Sequence, residues 1–439
     1  MLEIKKTDDP VLRQETEIVD DFGMETQKIV DEMIETMRSN KGVGLAAPQV
    51  GISKKIFICE FEGDADAKLP NIPLTVLCNP EIIIESKEQK NIVEGCLSFP
   101  NLELLVKRPK KVTVRGHDRY GNPLEIEAEK LQARVIQHEI DHLNSILFID
   151  HLQEMSVIFI GTGTLGVPTL KKLAADKQYS VKLVITGESE AISRQNKGQN
   201  PICETARELK LPILKTKNIN DPKIIAQIGS LKVDFGVMAD FGQIVKKEIL
   251  EAPKHGVVNI HPSLLPRHRG PSPIQQTILD GDKFAGVTLI LANEKMDAGN
   301  IISQVKVKLS GSETTPILKE YLSEMGANLL LNSIPYYLAG DLKPEPQKDE
   351  AATYNHLFKK EDGEVTAETP AVEVGRKIRA FADWPKVHIS INGKRIQLLS
   401  AHFDQEGKFV LDMVKPEGKK EMTYAEYLRG YKTKIEFAD

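Results

Sequence analysis

Cysteine, long apolar runs and charge of one sign are all in short supply in this chain, and each absence removes a class of protein. The four cysteines, Cys59, Cys78, Cys96 and Cys203, have no framework spacing, which points away from a disulfide scaffold and toward a reduced, cytoplasmic compartment. No stretch has the length and apolarity of a membrane span, and none has the plan of a signal peptide, so no membrane partner is expected. The formal net charge is −5, so the chain as a whole does not attract nucleic acid. No DNA partner is expected, and any RNA contact has to come from a local basic patch. Internal repeats and low-complexity tracts are also missing.

What is present is enough chain for several cores. A length of 439 residues exceeds one ordinary domain, so two or three are expected. A hydrophobic content of 41% with 28% charged residues falls in the range of soluble globular proteins. Over residues 21–39 the apolar positions Phe22, Met24, Ile29, Val30, Met33, Ile34 and Met37 recur at helical spacing, predicting an amphipathic helix. Short β-branched runs between Ile56 and Val114, broken by Pro and Asn, predict an antiparallel sheet, and residues 131–144 a second helix. From Ser156 the texture becomes strand, glycine turn, helix, strand. Runs at 157–160, 181–185, 235–238 and 257–260 predict a parallel, doubly wound sheet. Residues 340–351 are polar and carry Pro, the composition of a linker. Beyond them Asn392-Gly393 marks a hairpin in a small β-rich segment.

Gln137-His138-Glu139-Ile140-Asp141-His142 contains the spacing HExxH. Residues four apart share a helical face, so His138 and His142 can aim both imidazoles at one ion, with Glu139 beside them as a general base. Five letters alone also fit a helix carrying two ordinary histidines. They fit an HExxH peptidase as well, in which the third ligand commonly lies downstream. Upstream, however, stand Glu94-Gly95-Cys96-Leu97-Ser98 and the loop Gly42-Val43-Gly44-Leu45-Ala46-Ala47-Pro48-Gln49.

These three motifs, in this order, resemble peptide deformylase over roughly the first third of the chain. The resemblance implies that Cys96, His138 and His142 bind one metal ion and that Glu139 is the general base. It implies further that the Gln49 side chain and the Leu97 backbone N–H hold the oxyanion. A soft thiolate with two imidazoles suits Fe2+ or Zn2+. Lys130 and Ser145 stand where that family usually has glycine.

A second resemblance begins near Met155, which looks like a former start placed before a first strand, as in a gene fusion. Asn259-Ile260-His261-Pro262-Ser263-Leu264-Leu265-Pro266-Arg267-His268-Arg269-Gly270, then Pro273-Ile274-Gln275 and Met296-Asp297-Ala298-Gly299-Asn300-Ile301-Ile302, resemble methionyl-tRNA formyltransferase. It implies a catalytic trio of Asn259, His261 and Asp297, and a folate site lined by Ser263, Leu264, Leu265 and Pro266, with 10-formyltetrahydrofolate as donor. Asn259 can donate to a developing oxyanion, His261 can move a proton near neutral pH, and Asp297 can orient it. Arg194 and Lys197 match the basic residues of the loop that reaches the tRNA acceptor stem, although Glu188 and Glu190 dilute its charge. Gly161-Thr162-Gly163-Thr164-Leu165-Gly166 spells GxGxxG, which alone would suggest a dinucleotide. In the resemblance it walls the active site instead. The segment from Ile378 to Pro385 carries the family's C-terminal signature, but the chain beyond Pro385 is short by about two strands of the five-stranded barrel.

The expected whole is a deformylase-like α+β metal domain at 1–154 and a Rossmann-like parallel-sheet α/β transferase domain at 155–339. A linker at 340–352 and a truncated, OB-like β-rich domain for tRNA at 353–439 complete it. Such a chain would deformylate nascent peptides, with ribosomes as an expected neighbour, and formylate initiator methionyl-tRNA. The alternatives are a deformylase carrying an inactive binding module, or a transferase acting on a small-molecule amine.

Overall fold

The computed structural model describes residues 2–7, 9–63, 70–151, 154–188, 200–431 and 433–438. Contacts divide the chain into two units, Met1–Glu154 with Leu338–Asp341, and Met155–Tyr337 with Leu342–Asp439.

The first unit is built on a five-stranded antiparallel sheet in the order Gly44–Ala46, Ile56–Phe61, Ile72–Glu85, Lys111–His117, Pro123–Glu129. The strand Ile56–Phe61 opens with an unbroken apolar run, Ile56 to Cys59, because both of its faces are covered there. Phe57 and Cys59 pack with Ala133, Ile136, Ile140 and Leu143 of the helix Lys130–Leu143. Ile56 and Ile58 turn the other way, against Val30, Met33, Ile34 and Met37 of the helix Met24–Ser39. Those four helical positions form one stripe, and burying each such side chain is worth about 1.5–3 kcal/mol. A separate two-stranded ribbon, Gln89–Cys96 with Phe99–Pro109, brings Cys96 to its turn.

The helix Lys130–Leu143 is bounded by two left-handed residues, Lys130 with φ 55° and Ser145 with φ 62°. Its end is a Schellman motif: Ile146 N–H bonds to the Asp141 carbonyl at 2.9 Å and Ser145 N–H to the His142 carbonyl at 3.3 Å. Both positions favour glycine on conformational grounds, and both carry side chains here.

The second unit centres on a seven-stranded sheet in the order Ile213–Thr216, Tyr179–Gly187, Met155–Gly161, Phe235–Ala239, Val257–His261, Phe284–Leu291, Asn300–Lys308. The first five strands are parallel, as the alternation with helices predicts, while Phe284–Leu291 runs antiparallel to both of its neighbours. The chain winds outward from Met155–Gly161 to one edge and then returns to fill the other side. The switch lies beside Gly161, where open sheets of this kind take ligands at the carboxyl ends of their strands.

The C-terminal part carries a four-stranded antiparallel sheet, Val387–Ile391, Lys394–Phe403, Phe409–Pro416 and Met422–Thr423, with the helices Ala371–Ala380 and Tyr424–Tyr431. Its first hairpin turns at Asn392 and Gly393, both left-handed with φ 49° and 74°, as a two-residue type I′ turn requires. The polar stretch after residue 340 is bonded along the transferase sheet, with Glu345 and Ile301 exchanging backbone hydrogen bonds of 2.7 and 2.8 Å.

Two candidate active sites

In the first unit the helix Lys130–Leu143 and the ribbon turn bring Cys96, His138 and His142 together, with one potential ligand atom from each within 4.8 Å of the others. Cys96 Sγ lies 3.3 Å from His142 Nε2. Ligands bonded at the usual zinc–sulfur and zinc–nitrogen lengths in a tetrahedron stand about 3.5 Å apart, so the donor set fits a single small ion. The outer nitrogen of His138, Nδ1, is bonded to Glu94 Oε2 at 3.0 Å, which leaves Nε2 for a metal. Glu94 is itself held by Arg108 Nε and Arg134 Nη1, each at 2.8 Å. Burial acts to raise its carboxyl, but the bonds from His138 and Arg108 win and hold it well below the ordinary carboxylate range.

Glu139 is 4% exposed and its Oε2 has no hydrogen-bond partner among the described residues. Burial pushes its carboxyl up to about 7, against the pull of His138 and Arg108. Burial likewise lowers His142, favouring the neutral imidazole that binds metals. Glu139 reaches this place because residue 44 is glycine, where a Cβ would stand 2.3 Å from Glu139 Oε1. Gln49 is anchored by Ala46 N–H to its Oε1 at 2.8 Å, and its Nε2 points to Cys96 Sγ at 3.3 Å. Its amide donor therefore faces the same small space. Leu97 comes directly after Cys96 at the ribbon turn, with its side chain half-buried.

In the second unit Asn259 and His261 lie at the carboxyl end of the strand Val257–His261. Asp297, left-handed with φ 50°, bridges them. Its Oδ1 accepts from Asn259 Nδ2 at 3.3 Å and stands 3.5 Å from His261 Nδ1, while its Oδ2 accepts from Gly270 N–H at 2.9 Å. His261 Nε2 donates to the His268 carbonyl at 3.0 Å. A carbonyl only accepts, so Nε2 carries the hydrogen and Nδ1 is the basic atom of the neutral ring.

The loop 263–266 is tied to the sheet beside this trio. Ser263 Oγ donates to the Arg267 carbonyl at 2.8 Å, and Thr288 Oγ1 donates to the Ser263 carbonyl at 2.7 Å and accepts Leu265 N–H at 3.2 Å. Gln304 Nε2 bonds the Leu265 carbonyl at 3.0 Å, the Leu265–Pro266 peptide is cis, and Leu264 packs over Gly286. In the GxGxxG turn the first N–H groups are taken by the protein itself. Thr162 and Gly163 N–H groups bond the Asp240 carbonyl at 3.1 and 3.3 Å, and a Cβ at Gly163 would meet Asp240 Oδ2 at 1.9 Å. Arg194 and Lys197 lie outside the described residues.

Sequence reasoning passed over Glu94, although it stands two residues from Cys96 and a metal-bound histidine calls for a carboxylate partner. It also passed over Gln304 and Asp240: the Gln304 amide bonds the Leu265 carbonyl and Thr288 Oγ1, and the Asp240 carbonyl takes the Thr162 and Gly163 N–H groups, partners too distant in the chain to leave a local pattern.

The fold and these two sites define an enzyme with two separate reaction centres, one suited to metal-assisted hydrolysis and one to acyl transfer between nitrogens. Family models described as polypeptide deformylase, formyl transferase, and formyl transferase C-terminal domain match residues 1–157, 155–334 and 358–410. Among curated relatives, the methionyl-tRNA formyltransferase of Roseiflexus castenholzii is 34% identical over 300 residues, covering 63% of this chain and 96% of that protein. The same enzyme of Methylacidiphilum infernorum is 35% identical over 309 residues, covering 64% of this chain and 97% of the relative. Among solved structures, peptide deformylase from Thermotoga maritima is 40% identical, covering 35% of this chain and 98% of its own, with a TM-score of 0.32. A class I type b peptide deformylase from Acinetobacter baumannii is 34% identical, covering 34% of this chain and 97% of its own, with a TM-score of 0.33. From residue 155 onward the chain belongs to the methionyl-tRNA formyltransferase family, and a peptide deformylase domain precedes that part. It is a bifunctional enzyme, a hydrolase joined to a one-carbon transferase. The two families imply a metal ion and 10-formyltetrahydrofolate.

Proposed function

We propose that residues 1–154 remove formyl from N-formylmethionyl peptides, while the rest of the chain transfers formyl from 10-formyltetrahydrofolate to initiator methionyl-tRNA. In this division residues 155–339 carry the transfer chemistry, 340–352 join the parts, and 353–439 contact tRNA. The observation that supports it best is that each unit brings its own group of reactive side chains together: Cys96, His138, His142 and Glu139 in one, Asn259, His261 and Asp297 in the other.

In the deformylase half Cys96, His138 and His142 would hold Fe2+ or Zn2+. Bound there, the ion supplies Lewis acidity that makes water nucleophilic near neutral pH. Glu139 takes the proton of the attacking water and returns it to the departing amine, so that formate and a free amino terminus result. Gln49 and the Leu97 N–H donate to the formyl oxygen as charge develops on it.

In the transferase half Asn259 donates its amide hydrogens to the formyl oxygen. His261 accepts the proton of the attacking methionyl amine at Nδ1 and Asp297 stabilises the resulting imidazolium, and the same proton then restores N–H to the folate. The loop 263–266 lines the folate site, and Arg194 and Lys197 are the proposed contacts to the acceptor stem. The cytoplasm, close to ribosomes, is the proposed setting.

The metal provides the test. Stripping it with a chelator should abolish deformylation of an N-formylmethionyl peptide, and adding back Fe2+ or Zn2+ should restore it. Formyl transfer should be unchanged throughout. Loss of both activities on chelation would sink the assignment of the metal to one centre alone.

A further inference from the structure

The transferase trio leans on a stretch of chain that its motifs do not include. We propose that residues 342–355 form a positioning strap of the transfer site, in which Asn355 and Gln347 hold His261 and Asp297 in their working geometry. This rests on the formyl-transfer reading of that site.

The strap joins the loop 267–270 as a short parallel bridge between Tyr354 and Arg269. Arg269 N–H bonds to the Thr353 carbonyl, and Asn355 N–H to the Arg269 carbonyl, both at 2.8 Å. Thr353 Oγ1 takes His268 N–H at 2.8 Å. The side chain of Asn355, 8% exposed, then closes the loop: Nδ2 donates to the His268 and Arg269 carbonyls at 3.0 and 2.9 Å, and Oδ1 accepts Ser272 N–H at 2.6 Å.

The His268 carbonyl is the important one, because it also receives His261 Nε2 at 3.0 Å. A carbonyl oxygen has two lone pairs, and here Asn355 takes one and His261 the other. Asn355 therefore fixes the direction of the acceptor that sets the tautomer and tilt of the catalytic imidazole. His268 is left-handed with φ 64° and its ring is bonded to Asp282 at 2.7 Å, so the peptide is held from its other side as well.

Asp297 is held by the same strap. Gln347 Nε2 donates to the Asp297 and Gly299 carbonyls, both at 2.8 Å, pinning a turn whose central residue is in the left-handed region. Gln347 Oε1 accepts Arg269 Nε and Nη2 at 3.0 and 2.8 Å. Arg269, 2% exposed, also reaches Asp349 at 2.7 Å and the Tyr354 hydroxyl at 3.0 Å, so one buried guanidinium ties the strap to itself and to the loop. Gly270, whose N–H holds Asp297 Oδ2, lies against the strap, with the place of a Cβ only 2.5 Å from the Asn355 carbonyl. Among the described residues, neither Asn355 nor Gln347 has a hydrogen bond to a side chain of the trio. They act through backbone.

The test uses the full chain with near-isosteric changes, Asn355→Asp and Gln347→Glu, each of which deletes the donors and keeps the acceptor. Misplacing a catalytic group by an ångström costs up to about a hundredfold in rate. Both variants should lose about tenfold or more in kcat of formyl transfer, with KM for folate and tRNA within about twofold. The deformylase rate of the same chains should match the parent, and transfer is compared at a temperature where each variant is fully folded, because a carboxylate facing two backbone carbonyls lowers the melting temperature. An active parent whose two variants keep kcat within about twofold, or change KM alone, would overturn the strap while leaving the transferase reading intact. A fall in transfer that only tracks loss of folded protein would overturn it too. A parent that transfers no formyl to methionyl-tRNA would overturn both.

Discussion

Glu139 and Gly44 show how closely the residue scale is drawn. The carboxylate can stand beside the two histidines only because position 44 lacks a Cβ, which would lie 2.3 Å from its oxygen. Gly44→Ala should therefore displace the general base and cut deformylation by roughly a hundredfold, with formyl transfer unaffected, in parallel assays on one preparation. Gln49→Ala should cost about 10²–10³ in deformylation kcat, the usual cost of one oxyanion donor. Glu94→Ala should leave His138 unsupported and weaken metal affinity about 10–100-fold, measured by competition with a chromophoric chelator. At this scale much was legible in the sequence. The residues proposed to do the chemistry, such as His138-Glu139 and Asn259-Ile260-His261, sit next to one another in the chain, so spacing alone displays them. Asn355 and Gln347 were not legible, because a side chain that bonds a distant carbonyl leaves no local pattern.

At the scale of elements, two expectations meet a physical cost. Lys130 and Ser145 carry side chains at left-handed positions at the two ends of the helix that holds His138 and His142. Lys130→Gly should relieve the strain at the helix start and stabilise the first unit by about 0.5–1 kcal/mol, read as a rise in its melting temperature. At Ser145 the same gain is offset by loss of the Oγ bond to the Gln14 carbonyl. In the loop above the second site, Asp282 is partly buried, which acts to raise its carboxyl, but bonds from Arg267 and His268 hold it below the ordinary range. A lowered folded value stabilises fully above the unfolded carboxylate pKa of about 3.9 and is lost as pH falls through the folded value. Asp282→Asn should therefore flatten the loss of melting temperature below about pH 4 relative to the parent, and an unchanged acid slope would contradict the pairing. Element types were legible wherever the local pattern was strong, as in the helices Met24–Ser39 and Lys130–Leu143 and the Asn392-Gly393 hairpin. The antiparallel edge Phe284–Lys308 was harder to see, since strand direction depends on connections rather than on any residue pattern.

At the scale of the whole molecule, one chain carries two opposed reactions on formyl-methionine. Because protein synthesis separates those reactions, handing product from one centre to the other serves nothing, and the centres should behave independently. Arg194→Ala should raise KM for tRNA more than for folate, as expected for a residue that contacts only the acceptor. Independence is open to a single decisive measurement: formyl transfer from 10-formyltetrahydrofolate to initiator methionyl-tRNA, and deformylation of a formyl peptide, both on the Glu139→Ala chain. Robust transfer with deformylation abolished is the expected result. Loss of both activities, or an absence of transfer in a chain that still binds folate, would contradict a bifunctional enzyme with two self-sufficient sites.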